Sequence, residues 1–176
     1  MRTKALACLL GIAIIFAPFA FSCNVWGDID MDIDLDIKAL VPALDDNQPT
    51  SFETATFAMG WFWGPDSQFG SLDGVIRTRV GYSGGTTASP TYRNIGDHSE
   101  TIQIDYDSTQ ITYDQLLEFF WAGHSCSVQA PSRQYKSVIF YHNQQQKDTA
   151  QQSKQIQEQA RGVSIVTEIE SFDQFY

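Results

Sequence analysis

The sequence predicts an α+β fold, a two-layer sandwich of ferredoxin-like character with helices packed on a mixed sheet. From Ala55 onward, short apolar or alternating runs and helix-period segments follow one another as strand–helix–strand, strand–helix–strand, then helix and strand. The chain has 176 residues, 43% hydrophobic and 13% aromatic, enough to bury one core and to exclude wholesale disorder. Its three cysteines, Cys8, Cys23 and Cys126, lie far apart, which excludes a disulfide-rich scaffold and a CxxC zinc site. No metal site is therefore expected. A formal net charge of −10 leaves no basic patch for nucleic acid, so no such partner is expected either.

Taken in order, the chain opens with Arg2 and Lys4 ahead of an apolar run from Ala5 to Phe21. Positive charge followed by such a run reads as a secretory signal over residues 1–23. The chain is thus expected to be exported, to a periplasm, the extracellular space or a membrane. In the last case Ser22-Cys23 would serve as a lipidation box and Cys23 would carry the anchor. Residues 24–52 read as an acidic linker or peripheral segment, with Asp28, Asp30, Asp32, Asp34 and Asp36 alternating with apolar residues. A calcium loop is excluded there, because no register supplies glycine at position six and glutamate at position twelve. Pro42 and the cluster from Asp45 to Pro49 then mark the border of a domain over residues 53–176.

Inside that domain, Ala55 to Met59 is a short apolar strand ending at Gly60. Pro65 and Asp66 suit the first turn of a helix that runs through Phe69 and stops between Gly70 and Gly74. Val75 to Tyr82 is a strand closed by the Ser83-Gly84-Gly85 turn, and Thr101 to Asp105 alternates as another. Thr112 caps a helix from Tyr113 to Trp121, whose Tyr113, Leu116, Leu117, Phe120 and Trp121 share one face. Ser137 to His142 is a strand. Asn143 caps a long glutamine-rich helix to Arg161, and Val163 to Ile169 forms the last strand.

The stretch Ala55-Thr56-Phe57-Ala58-Met59-Gly60-Trp61-Phe62-Trp63-Gly64 resembles the active-site signature of A-type peptide methionine sulfoxide reductases, which read Gly-Cys-Phe-Trp-Gly at this place. The resemblance continues through Gly74-Val75, Val80-Gly81-Tyr82-Ser83-Gly84-Gly85, Pro90-Thr91-Tyr92, His98-Ser99-Glu100, Gln134-Tyr135-Lys136-Ser137 and Thr167-Glu168-Ile169. It implies a peptide-methionine (S)-S-oxide reductase homologue acting on oxidised proteins. In that family a thiolate at a helix start attacks the sulfoxide sulfur and becomes a sulfenic acid, which external thiols reduce. The resemblance therefore implies no bound cofactor, a thioredoxin-like or dithiol reductant as partner, and a monomer. Phe62 and Trp63 match the aromatic pair around the substrate methyl group. Glu100 matches the catalytic glutamate, a proton donor, and Tyr92 and Tyr135 match the two tyrosines around the sulfoxide oxygen. His98 is expected to support its loop. His124 is expected to end its helix, where an imidazole is favourable.

The nucleophile's position holds Trp61, and an indole cannot attack sulfur. If the working protein carries cysteine or selenocysteine there, the resemblance implies a reductase; UGA is read as selenocysteine or as tryptophan under different translation tables. With tryptophan, it implies a non-catalytic member that binds methionine sulfoxide or is a structural relic. Cys126 is the remaining candidate thiol, disfavoured by its place beyond a helix C-terminus. The stretch from Ser125 to Tyr135 also lacks the family's loop aspartate. The sequence stops at Tyr176 where the family usually runs on, so the domain reads as C-terminally short.

Overall fold

The computed structural model describes residues 51–176. The signal over 1–23 and nearly all of the acidic segment lie outside the described residues. The domain runs β1 (Glu53–Met59), α1 (Trp63–Gly70), β2 (Val75–Ser83), β3 (Ser99–Tyr106), α2 (Tyr113–Gly123), β4 (Ser137–Tyr141), α3 (Gln144–Arg161) and β5 (Glu168–Ser171). The sheet order is β2-β3-β1-β4-β5. β3 runs antiparallel to both β2 and β1, and β4 antiparallel to β1. The first six elements thus form two interleaved split β-α-β units, the ferredoxin-like plan. α3 then crosses over to set β5 parallel to β4, which makes the sheet mixed.

Period-two alternation assigns the two faces of the sheet. Ala55, Phe57 and Met59 of β1, Ile102, Ile104 and Tyr106 of β3 and Ile139 of β4 join Phe69, Leu116, Leu117, Phe120, Trp121 and Ala150 in one buried cluster beneath the helices. Their neighbours Ala58, Val138 and Phe140 form a second, smaller cluster covered by Phe172. Each fully buried large apolar side chain contributes about 1.5–3 kcal/mol, so the larger cluster holds most of the fold's apolar stabilisation. The expected caps are present. Thr112 and Gln115 form a reciprocal capping box on α2, and the Asn143 side chain accepts from the Gln146 N–H on α3.

Several boundaries differ from expectation by a residue or more, two of them of note. The last strand begins only at Glu168, because Val166 N–H bonds to the Cys126 carbonyl instead of to the sheet, while Ile165 packs into the core. β3 begins two residues early, at Ser99, which puts Glu100 inside a strand. After β5, Phe172 stacks on His142 with ring centres 4.2 Å apart. Tyr176 then pairs its N–H and carbonyl with the backbone of Tyr82 in β2. Gly81 permits this approach, since a Cβ there would collide with the Tyr176 carbonyl oxygen.

Candidate active site

β1 delivers the chain to Gly60, whose φ of +87° turns it in a region that side chains resist. Trp61 follows, and then Phe62, the N-cap of α1, which has no side-chain cap of its own. The Phe62 N–H instead donates to Oε2 of Glu100 at 3.2 Å. A carboxylate is well placed at a helix start, where unpaired N–H groups and the dipole both favour negative charge. Glu100 stands directly opposite Tyr82 in the β2–β3 register and shares the parity of Ile102 and Ile104, which sets it on the helix side of the sheet. It is 0% exposed. Its second oxygen, Oε1, accepts from Gln134 Nε2 at 2.7 Å.

Aromatic rings cluster on Phe62, next to this carboxylate. Phe62 is buried, with Trp63 edge-on at 6.0 Å, Tyr82 at 6.1 Å and Tyr92 nearly parallel at 6.4 Å. Trp61, Trp63 and Tyr92 are 61%, 60% and 55% exposed, so the rim is wet while its base is dry. Burial first, then the charge of Glu100 and the presence of Tyr92, push the phenols of Tyr82 and Tyr135 above the ordinary tyrosine value. Both therefore keep their O–H groups at neutral pH and above, available to an acceptor oxygen.

The supporting loops are closely tied. Asp97 accepts from the backbone N–H and hydroxyl of both Thr86 and Thr87, which holds its carboxyl far below the usual range. His98 bridges Gly85 N–H at 3.2 Å and the Thr87 carbonyl at 2.8 Å, the loop support expected of it. Arg133 reaches the carbonyls of Asp97 and Gly84, and its own carbonyl accepts from Ser99 Oγ. A 3₁₀ turn at Arg133–Tyr135 is thereby pinned against the loop before β3, and it brings Gln134 and Tyr135 to Glu100.

The structure thus gathers Phe62, Trp63, Tyr92, Tyr135 and Glu100 in one corner, with Trp61 at its edge. Glu100 differs from the expected proton donor in one respect: both of its oxygens accept from N–H groups. A rotated Gln134 amide would present its own oxygen and leave room for a carboxyl proton. His124 does end α2, with Nδ1 2.8 Å from the Phe120 carbonyl and Nε2 2.6 Å from Ser137 Oγ. Burial, assisted by the Arg161 charge, lowers its pKa. Cys126 is 0% exposed and packs in the main core, where its sulfur lies 3.2 Å from Arg161 Nη1. A sulfur so enclosed offers no surface to a substrate.

Sequence reasoning missed Gln134 and Tyr82 as members of the corner. Both stand inside quoted motifs, but only the β2–β3 register and the 3₁₀ turn show that they face Glu100.

A dry carboxylate at a helix start, beside a cluster of aromatic rings and protonated phenols, makes this corner the candidate site. The chain belongs to the peptide methionine sulfoxide reductase family, whose model matches residues 53–176. A peptide methionine sulfoxide reductase of Drosophila melanogaster is 48% identical over 125 residues, covering 70% of this chain and 51% of that protein. Among solved structures, Mxr1 from Saccharomyces cerevisiae in an unusual oxidized form has a TM-score of 0.65 at 28% identity, covering 73% of this chain and 77% of that one. Mxr1 in complex with Trx2 has a TM-score of 0.56 at 26% identity, covering 73% and 82%. The chain spans about half the length of the first curated relatives it matches.

Proposed function

We propose that this domain recognises methionine S-sulfoxide in oxidised proteins, and that residue 61 decides whether recognition leads to reduction. The observation that carries this reading is the Glu100 carboxylate, buried and bonded to the N–H of Phe62, whose ring packs with those of Tyr82 and Tyr92. Phe62 and Trp63 take the substrate's methyl group. Tyr92 and Tyr135 donate to the sulfoxide oxygen, a strong acceptor, and Glu100 supports its protonation.

With cysteine or selenocysteine at position 61, the domain is a peptide-methionine (S)-S-oxide reductase. The chalcogenolate sits just before α1, where the helix start favours its anionic form. It attacks the sulfoxide sulfur, the oxygen passes to the attacking atom with a proton, and the methionine residue leaves in its reduced form, still part of its protein. Two external thiols, supplied by a thioredoxin-like partner, then return the sulfenic or selenenic group to its reduced state and release water and a disulfide. With tryptophan at 61 no group can accept the oxygen, and the corner binds without turnover. Export to an oxidising compartment, through residues 1–23, fits a role in repairing or recognising oxidised methionine.

Reductase assay on protein from the native gene, beside Trp61→Cys, tests the reading with dithiothreitol and a methionine sulfoxide peptide. The tryptophan protein should show no turnover and Trp61→Cys clear turnover. Turnover by a protein whose mass confirms tryptophan at 61 would refute it.

A further inference from the structure

We propose that a groove between the end of β1 and the loop after α2 takes an apolar side chain lying within two residues of the oxidised methionine. This rests on the reading above and deepens it: the preferred substrates are methionines from apolar segments that folded proteins keep buried.

The groove has a volume of about 280 Å³. Sites for whole small molecules run from about 300 to 1,000 Å³, so this one suits a single side chain. Met59 and Gly60 line it from the end of β1, Val128, Ala130 and Pro131 from the loop, and Tyr135 from the 3₁₀ turn. A lone exposed valine is ordinary, but Val128, 65% exposed, shares this groove with an alanine, a proline and the buried Met59. No acid occurs from Ser125 to Tyr135, so the loop offers a cationic side chain no partner. The loop is fixed at both ends. Cys126 is buried in the core and its carbonyl accepts from Val166 N–H, while His124 Nε2 lies 2.6 Å from Ser137 Oγ. Arg133, at the carbonyls of Asp97 and Gly84, holds the 3₁₀ turn. The groove therefore needs little ordering before it binds.

Gly60 and Tyr135 tie the groove to the corner. Gly60 immediately precedes position 61, and a Cβ on it would stand 3.9 Å from the Tyr135 carbonyl oxygen. Adjacent Cα atoms of an extended peptide are about 3.8 Å apart and alternate ones about 6.5–7 Å, which is the scale of that shared boundary. Methionine is a residue of protein interiors, and its sulfoxide disrupts the packing that hid it. Segments opened in this way carry apolar neighbours, the side chains that this groove accepts.

Steady-state assay of Trp61→Cys with dithiothreitol tests this. The substrates are methionine sulfoxide peptides of glycine and serine in which one leucine is moved through the two places on either side of the methionine. Leucine in one of these places should raise kcat/KM about tenfold over the leucine-free peptide, chiefly through KM. Val128→Asp, added to that protein, should bring the ratio close to one; its side chain is exposed, so the change spares the core. Val163→Asp, at an exposed valine outside the groove, should leave the tenfold ratio intact. Equal kcat/KM for all peptides, a leucine advantage that survives Val128→Asp, or one lost equally in Val163→Asp would overturn the inference and leave the proposed function standing. So would a Val128→Asp defect seen only when a thioredoxin-like protein replaces dithiothreitol, since the groove would then serve the reductant. No turnover of any peptide refutes both.

Discussion

Two regions of this domain divide between them what sulfur chemistry requires. At the start of α1, the Glu100 corner has a dry carboxylate, protonated phenols and exposed aromatic faces, but the side chain at its edge is the indole of Trp61. Beyond the end of α2, Cys126 has a sulfur and a guanidinium beside it, but no exposed surface at all. The first region offers access and polarity without a nucleophile; the second offers a nucleophile without access. Proximity of a cation does not make a thiol reactive when no substrate can reach it. On the proposed reading, function turns on what stands at position 61, whereas Cys126 belongs to the core.

The comparison breaks most sharply at Trp61. Trp61→Cys should raise reductase activity from nothing to at least about 10³-fold above the tryptophan protein, as expected when a missing nucleophile is supplied to an assembled site. Because the indole is 61% exposed, the change should alter stability by only about 0.5 kcal/mol, read by denaturant unfolding. Next in size is Glu100→Gln in the Trp61→Cys background, which keeps the shape and removes the acid. It should lower kcat by about 10²-fold with a smaller change in KM.

Cys126→Ala sharpens the comparison from the other side. Activity of Trp61→Cys should be unaffected, while stability falls by about 1 kcal/mol through loss of a buried sulfur and its contact with Arg161. The smallest effect concerns pH. Burial lowers the pKa of His124 and of His142, so the folded state prefers both rings neutral. Below the ordinary histidine value of about 6.5 the unfolded chain binds more protons, and stability falls as pH drops through that value. The melting midpoint should therefore be lower at pH 5.5 than at pH 7.5. His142→Asn should flatten that dependence without changing activity.

Much of this was legible in the sequence because local signals agreed with the fold. Thr112 and Asn143 act as caps where caps were expected, and the alternation of Ile102 and Ile104 names the buried face of β3. Phe62, Trp63, Tyr92, Glu100 and Tyr135 were found through ordered motifs, and the structure shows why they meet: a strand end, a helix start and a 3₁₀ turn converge on one carboxylate. What periodicity could not supply was long-range. Glu100 gains its burial from the β2–β3 register and from Gln134, which is 34 residues away. The stretch 163–167 is apolar enough for a strand, yet Ile165 packs into the core and Val166 N–H goes to Cys126. His124 was correctly placed at a helix end, but its charge state depends on burial that no local pattern encodes.

The most direct measurement is a single-turnover experiment without added reductant. Trp61→Cys, mixed with excess methionine S-sulfoxide peptide, should form about one equivalent of reduced methionine per protein and one sulfenic acid at residue 61, seen as a gain of one oxygen in the mass. The tryptophan protein should form neither. An equal yield from both proteins, or a sulfenic acid at Cys126, would contradict the assignment of the chemistry to the Glu100 corner.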